Sequence, residues 1–338
     1  MEEREYRARL EEIAGLLRSW AGPLIVASHE DPDGDAVSSS LGLARALRTF
    51  RKDVILVIDP PPFLRFALEP GEAVPRLESL PEGGLLIALD TNLDRTTGIP
   101  VPPPGWPVIN IDHHGTNPGF GIASVVEPGR AACALMIKEL VDVLGVRWDR
   151  RLGEAVLMGI ITDTGSFRFS NTDPRVLRAA AELVGLGIDV AALNEHLQTR
   201  PRHYFPVLGA VMRTVEYHHG GRSVIGRIGP DLLAEAGVDP QVAEEDSEDF
   251  VGHLRYAEGV LVAAFLKDRG DKVKVSLRSR GGASAQRVAL DLGGGGHPAA
   301  AGATLAPGVQ RARRQVLEAI GRELARIGEL AGQTSPAD

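Results

Sequence analysis

The stretch Ser28-His29-Glu30-Asp31-Pro32-Asp33-Gly34-Asp35-Ala36 decides how the chain reads. It follows a short apolar run at 24–27 and opens a helical pattern at 37–50. Four acids and one histidine therefore fall within seven residues at the expected carboxyl end of a strand. In open α/β sheets ligands bind at such ends. Carboxylates and imidazoles are the donors that hard and borderline divalent cations prefer. So much negative charge in one turn is costly unless a cation offsets it. A plainer account stands beside this one. The stretch is also a turn and helix cap, with Asp35 favourable at the positive end of the helix dipole.

Working outward, apolar runs recur at 54–58, 85–89 and 108–111. Each is short, β-rich and free of charge, as strands buried on both faces are. Helical patterns at 37–50 and 131–144 separate some of them, and Arg7, Leu10, Ile13 and Leu17 mark an amphipathic first helix. This rhythm predicts an α/β fold with a parallel sheet and helices on both sides. Further helices are expected at 151–161 and 173–186, the second with Asp173 as cap and Pro174 at its first position. Around 194–206 the pattern thins into Gln, Thr, Arg, Pro and His, which reads as a linker. Beyond it, strands are expected at Tyr217, 222–228, 260–265 and 273–277, and helices at 243–255 and 309–327. The domain reading is thus 1–193, a linker at 194–215, a smaller α/β domain at 216–330 and a flexible tail at 331–338.

The length of 338 residues fits about two domains. The 37 basic against 45 acidic residues give a net charge of −8. That argues against a protein that coats duplex DNA by neutralising phosphates, but leaves room for a nucleotide or short oligonucleotide in a local pocket. A single cysteine, Cys133, excludes an intrachain disulfide and a cysteine-rich zinc site, and fits a reducing, cytoplasmic setting. No apolar run approaches membrane-spanning length, and the first twenty residues lack the core of a signal peptide.

Three further acidic or histidine positions fall at element ends. Asp90 follows the 85–89 run, Asp112-His113-His114 ends the 108–111 run, and Asp163 ends an apolar helix in Thr162-Asp163-Thr164-Gly165. Singly, each has a plain reading as a cap or turn. His218-His219 precedes two glycines and reads as a hairpin pair. In the second domain Arg278-Ser279-Arg280 precedes Gly293-Gly294-Gly295-Gly296-His297. Consecutive glycines let the backbone approach closely and leave N–H groups for an anion, and arginines clamp phosphate. Alone, this segment reads better as a flexible loop beside a surface strand.

Taken together, the Asp112-His113-His114 triplet, the upstream His-x-x-x-Asp-x-Asp-Ala motif and the isolated Asp90 and Asp163 resemble the DHH phosphoesterase superfamily. The second block resembles the DHHA1 substrate-binding domain. The whole chain resembles the subfamily of short-oligonucleotide nucleases and 3′-phosphoadenosine-5′-phosphate phosphatases called NrnA-like or nanoRNase proteins. That resemblance implies an N-terminal parallel-sheet DHH domain and a smaller C-terminal DHHA1 domain, with the active site in the cleft between them. It implies two manganese ions, one held by His29, Asp33 and Asp90 and one by Asp35, Asp90, His113 and Asp163. Asp112 would orient a ligand, and His114 would sit at the scissile phosphate. Arg278, Ser279, Arg280, Gly294, Gly295, Gly296 and His297 would grip the substrate. Short RNA or DNA and the bisphosphonucleotide would be substrates, two-metal activation of water the mechanism, and a homodimer the assembly. Three positions depart from the usual pattern: Ser38 in place of Gly, Asp31 in place of Asn, and Ala131-Ala132-Cys133 in a stretch often rich in hydroxyls.

Other substrates fit the same chemistry. A cyclic or linear dinucleotide phosphodiesterase keeps the metal site. A manganese pyrophosphatase shares the first-domain motifs, but the glycine segment argues for a nucleotide-sized substrate. A RecJ-like exonuclease would carry additional nucleic-acid-binding domains. A non-catalytic nucleotide sensor predicts the loss of a bridging ligand, and none of Asp90, His113 and Asp163 is lost.

Overall fold

A computed structural model of the chain describes residues 1–239 and 250–333. It divides into two units, Met1–Thr199 and the residues from Arg200 onward. In the first unit the uncharged runs become strands β1 (Leu24–Ala27), β2 (Val54–Val57), β3 (Leu85–Leu89) and β4 (Val108–Asp112), joined by an edge strand β5 (Ala123–Val126). The sheet is parallel throughout, in the order β2-β1-β3-β4-β5. β5 carries little apolar signal and half its residues stay partly exposed, so its sequence does not announce it.

The helices are α1 (Glu3–Ser19), α2 (Gly34–Arg48), α3 (Cys133–Leu144), α4 (Arg150–Asp163), α5 (Pro174–Val184) and α6 (Val190–Gln198). α1 buries Tyr6, Leu10, Ile13 and Leu17, whereas Arg7 stays exposed and pairs with Glu11. α5 starts as expected, with the Asp173 carboxylate accepting from the N–H groups of Arg175 and Val176, and Pro174 in its first turn. Expected helices on both sheet faces are not found. Residues of α1 to α5 pack against one face. The other face, with Ile25, Ala27, Leu86 and Ala88, is covered by Leu77, Leu80, Ile99, Trp106 and Phe120 from irregular connections. The cause is proline. The links from β2 to β3 and from β3 to β4 hold Pro60 to Pro62, Pro70, Pro75, Pro81 and the run around Pro102 to Pro104, and such spacing admits no long helix.

α2 and α4 meet closely through glycines. A Cβ on Gly42 would come within 2.6 Å of Val156, and one on Gly159 within 2.7 Å of Ser38 and 2.9 Å of Asp35. Ser38 is accommodated because Gly159 faces it. From β1 the chain passes through α2 to β2 on one side, and β3 then lies on the other side of β1. The carboxyl ends of β1 and β3 therefore flank a switch in strand order, where parallel sheets open a crevice.

The second unit comprises α7 (Tyr204–Met212), β6 (Glu216–His218), β7 (Ser223–Ile228), α8 (Pro230–Ala236), α9 (Phe250–Arg255), β8 (Val262–Asp268), β9 (Val273–Ser279), α10 (Ala285–Asp291), β10 (Gly295–Gly296), β11 (Ala300–Leu305) and α11 (Val309–Gln333). Its sheet runs β10-β11-β9-β8-β7-β6, antiparallel except for β7 beside β8. Alternate residues of β8 face different cores. Val262, Ala264 and Leu266 meet α10 and α11, while Ala263 and Phe265 meet α7 and α9. His218-His219 does lie at the β6–β7 hairpin.

Two expectations need correction. The segment 194–215 is not a bare linker. Leu193 and Leu197 of α6 join the first core, and Val207 and Val211 of α7 join the third, each pair four residues apart. The unit boundary falls at Thr199, between the two helices. The expected tail at 331–338 begins inside α11, which reaches Gln333, and residues 334–338 lie outside the described residues. Of the helix expected at 243–255, residues 243–249 also lie outside them and α9 forms the remainder. No helix among the described residues is long and apolar enough to cross a membrane.

Candidate metal centre

The loop after β1 is tied into α2. Asp33 caps the helix, its Oδ1 accepting from the N–H groups of Asp35 and Ala36 at 3.0 Å each. This is the cap role anticipated for the stretch, and it uses one oxygen of Asp33. Asp35 does not cap its own helix. Its Oδ2 and Oδ1 accept from the N–H groups of Cys133 and Ala134, at 2.6 and 2.7 Å, so its carboxylate docks on the amino end of α3. Anions are stabilised at such an end by the unpaired amides and the helix dipole. Cys133 itself is buried in the core, as its small apolar neighbourhood predicts.

Asp90 follows β3 with φ of 56°. A left-handed aspartate at a strand end is uncommon, and such geometry gathers where function fixes a side chain. Its carboxylate is buried. Oδ1 stands 3.4 Å from both His113 Nε2 and His114 Nδ1 but accepts no hydrogen bond of ordinary geometry. A buried charged oxygen that accepts no well-formed hydrogen bond is expensive. A cation at this point would satisfy it.

The imidazoles are aimed by their neighbours. His29 Nδ1 lies 2.7 Å from the carbonyl of Glu30, and His113 Nδ1 lies 3.2 Å from the carbonyl of Arg130. A carbonyl accepts only, so Nδ1 carries hydrogen and, in the neutral ring, Nε2 keeps the lone pair. His29 Nε2 faces Asp90 Oδ2 at 3.8 Å. His113 Nε2 stands 3.5 Å from Asp35 Oδ2, 3.4 Å from Asp90 Oδ1 and 3.6 Å from Asp163 Oδ2. Among the donor groupings whose ligand atoms lie within 4.8 Å of one another, two match the expected ligands, His29 with Asp33 and Asp90, and Asp35 with His113 and Asp163. These are the residues named from the strand ends, and Asp90 lies against both sets. Fixed donors of this kind, three oxygens or nitrogens per set with rings oriented from behind, suit a divalent ion.

The electrostatics point the same way. Burial, with Asp90 and Asp163 close by, pushes the Asp35 carboxyl well above its usual range. Burial likewise raises Asp163 to about 7, although His113 pulls it down. Burial also opposes ionisation of Asp90, yet the two imidazoles beside it hold its carboxyl well below the usual range. His113 is raised to about 10, since Asp90, Asp163 and Asp35 outweigh its burial. In the absence of an ion, protons thus offset the carboxylates, and a divalent cation would take their place.

Asp112 and His114 form a separate pair. Asp112 Oδ1 accepts from His114 Nδ1 at 2.7 Å and from its N–H at 2.9 Å. Asp112 therefore orients His114, not one of the six donors as expected. Burial is outweighed at His114 by Asp112 and Asp90, and its pKa rises to about 11. Asp112 Oδ2 accepts from Asn117 Nδ2 at 2.6 Å. Asn117 in turn reaches Asn110 Oδ1 and the Thr91 carbonyl, and Asn110 donates to the carbonyls of Ala88 and Thr91. These two asparagines are additions to the residues read from sequence. The signal for Asn110 was present, because a polar residue inside the run Val108-Ile109-Asn110-Ile111 needs a buried partner.

In the second unit the anticipated residues separate. Strand alternation turns Ser279 inward with Val275 and Leu277 and leaves Arg278 on the opposite face. Ser279 is buried, donates to the Pro298 carbonyl at 2.7 Å and accepts from the Ala285 N–H at 3.0 Å. Arg280 donates to the carbonyls of Val260 and Ala257, both at 2.5 Å. Ser279 and Arg280, expected with Arg278 at the substrate, are thus both hydrogen-bonded within the fold. The glycines also differ from expectation. The N–H groups of Gly293 and Gly294 close the end of α10 on the carbonyls of Leu290 and Ala289, and so are not left for an anion. Gly295 and Gly296 form β10 against β11, and a Cβ on Gly294 would fall 2.0 Å from the Gly302 carbonyl oxygen. His297 opens a tight turn, its N–H donating to the Ala300 carbonyl at 2.7 Å. Glycine is needed there for close strand approach.

Comparison with known proteins agrees with both units. The DHH family, N-terminal domain, matches residues 23–160, and the DHHA1 domain matches residues 231–325. The bifunctional oligoribonuclease and PAP phosphatase NrnA of Thermus thermophilus is 51% identical over 97% of this chain and 98% of its own length. The cyclic-di-AMP phosphodiesterase GdpP of Geobacillus thermodenitrificans is 27% identical over 94% of this chain and 50% of its own length. Among solved structures, an exopolyphosphatase-related protein from Bacteroides fragilis shares the fold, with a TM-score of 0.80 at 22% identity over 94% of this chain and 96% of that one. The chain, with its strand-end acids and histidines in the first unit and its mixed sheet in the second, belongs to the DHH–DHHA1 phosphoesterase family as an NrnA-like member.

Proposed function

We propose that this protein is a divalent-metal-dependent phosphoesterase that cuts short oligonucleotides to mononucleotides and removes the 3′-phosphate of 3′-phosphoadenosine-5′-phosphate. The observation that carries this reading is the pair of donor sets bordering the Asp90 carboxylate, whose Oδ2 faces His29 and whose Oδ1 faces His113 without accepting a hydrogen bond. His29, Asp33 and Asp90 would hold one ion, and Asp35, Asp90, His113 and Asp163 the other, with manganese as the metal. Bound there, two such ions supply Lewis acidity and lower the pKa of water. The chain's own residues do the rest. The carbonyls of Glu30 and Arg130 keep two imidazoles presented by Nε2. Asp112 holds His114 from behind, so that its ring can donate to a phosphoryl or leaving oxygen. In the second unit Arg278 and the segment Gly294 to His297 are the proposed contacts to nucleotide. Cytoplasmic location and a homodimer belong to the same proposal.

The NrnA relative, named for oligoribonuclease and PAP phosphatase activity, supports these substrates. The GdpP relative favours a second reading, cleavage of a cyclic or linear dinucleotide. A manganese-supplemented turnover assay separates them. Its substrates are RNAs from dinucleotide to 24-mer, 3′-phosphoadenosine-5′-phosphate, cyclic di-AMP and pyrophosphate. Loss of the shortest RNAs with phosphate release from the bisphosphonucleotide is expected. Preference for cyclic di-AMP or pyrophosphate would overturn the substrate assignment and keep the metal centre.

A further inference from the structure

Arg130 belongs to neither donor set, yet it is bonded at both ends. Its carbonyl accepts His113 Nδ1 at 3.2 Å, and its N–H donates to the Glu127 carbonyl at 2.9 Å, closing the turn before α3. Its side chain is 4% exposed. Nε donates to Glu139 of α3 at 2.9 Å, and the two terminal nitrogens donate to Glu3 of α1 at 3.2 and 2.8 Å. The guanidinium carbon lies 4.0 Å over the Tyr6 ring, and the Tyr6 hydroxyl donates to the same Glu139 oxygen at 2.5 Å. One residue therefore joins α1 and α3 by its side chain and holds a site imidazole by its backbone.

Ion pairs of this kind, with Arg130 buried but Glu3 largely exposed, are weak support for stability alone. What they supply is a fixed position for one carbonyl. A planar fork held by two carboxylates and an aromatic ring removes the freedom of the residue that carries it. We infer that Arg130 is a positioning residue for His113, its clamped side chain fixing the carbonyl that turns Nε2 toward Asp35, Asp90 and Asp163. The inference rests on the metal centre proposed above for what that orientation achieves, but the orientation itself can be measured without metal.

The test uses the full-length protein in four forms: unaltered, Arg130→Met, Arg130→Lys and Lys138→Met. The last removes a comparable ion pair on α3, with Asp142 and Glu182, that has no contact with His113. In metal-free protein the His113 ring N–H signal, assigned by its loss in His113→Asn, is followed by NMR for exchange with water. Manganese binding is then titrated by calorimetry. Arg130→Met is expected to speed ring N–H exchange at least about tenfold and to raise one manganese Kd by roughly tenfold, as loss of an outer support does. Arg130→Lys, which cannot fork to both carboxylates, should fall between, and Lys138→Met should change neither. A folded Arg130→Met protein with unchanged exchange and unchanged affinities overturns the inference. Should Arg130→Met not fold, unchanged exchange in Arg130→Lys and in Tyr6→Phe overturns it equally. If the unaltered protein binds no manganese, the proposed metal centre fails, while the exchange comparison still decides the role of Arg130.

Discussion

The crest of the first sheet and the glycine hairpin of the second treat neighbours in sequence in opposite ways. At the crest, Asp35, Asp90, His113 and Asp163 come from separate stretches and end within a few ångströms of one another. In the second unit, Arg278, Ser279 and Arg280 are consecutive and serve three different surroundings. Strand direction explains the first, and alternation separates Ser279 from Arg278 in the second, while Arg280 lies just past β9 and bonds to the carbonyls of Val260 and Ala257. A parallel sheet brings all its carboxyl ends to one edge, so the residues just past each strand collect there. Along any strand, successive side chains point to opposite faces, so a cluster in sequence disperses in space. Proximity in sequence is a poor guide within a strand, and position at a strand end is a good one in a parallel sheet.

Asp90→Ala is the most severe way to test this contrast. It removes the carboxylate that borders both donor sets, and kcat on a dinucleotide should fall by at least about 10³-fold. Metal content, measured by atomic emission, should drop with it. Retained metal at full stoichiometry would mean that the crest is not one linked site.

The second unit offers a test through acid. Glu323 accepts from the Ser284 N–H at 2.7 Å and from Arg287 and Arg326 through both oxygens. Burial alone would raise its pKa, but those bonds lower it to about 2 from 4.5. A depressed carboxylate stabilises the fold above its unfolded pKa and loses that contribution as pH falls through the folded one. Between about pH 4.5 and 2 roughly 3 kcal/mol should therefore be lost. Chemical denaturation across that range should show the loss, and Glu323→Gln should make it smaller by about that amount. An unaltered slope would mean that the charges of this unit are not bound into its structure.

Asp112→Asn isolates the second layer of the crest. It keeps the shape but weakens the hold on His114, and kcat should fall by about 10²-fold. Metal stoichiometry should stay as it was, which distinguishes this pair from the donor sets. Ser279→Ala is the mildest probe. It removes the hydroxyl that donates to the Pro298 carbonyl and the longer of the two bonds made by the Ala285 N–H, whose other acceptor is that same carbonyl at 2.7 Å, and should cost about 1 kcal/mol of stability by thermal denaturation. KM and kcat per folded molecule should not move. A clear rise in KM would restore Ser279 as a substrate contact.

Much of this is legible in the chain itself. The uncharged runs fix β1 and β3 to the residue, because strands buried on both faces cannot alternate. Asp173 and Pro174 fix the start of α5 by their local chemistry. The acids and histidines that end each element are visible because a parallel sheet makes strand ends special. Other features lie beyond local pattern. Whether the β2–β3 and β3–β4 links cover the sheet with helix or with loop depends on what their prolines permit in three dimensions. Asn117 and Arg130 gain their roles only from partners contributed by other elements. Gly294 and Gly296 are explained by a strand, β11, that approaches them closely. Sequence determined which residues have the chemistry and which ends of elements carry them, since propensity and pattern act over a few neighbours. Tertiary structure decided which of those residues meet and which are bound up in the fold, since strand order, alternation and close packing act between segments far apart in the chain.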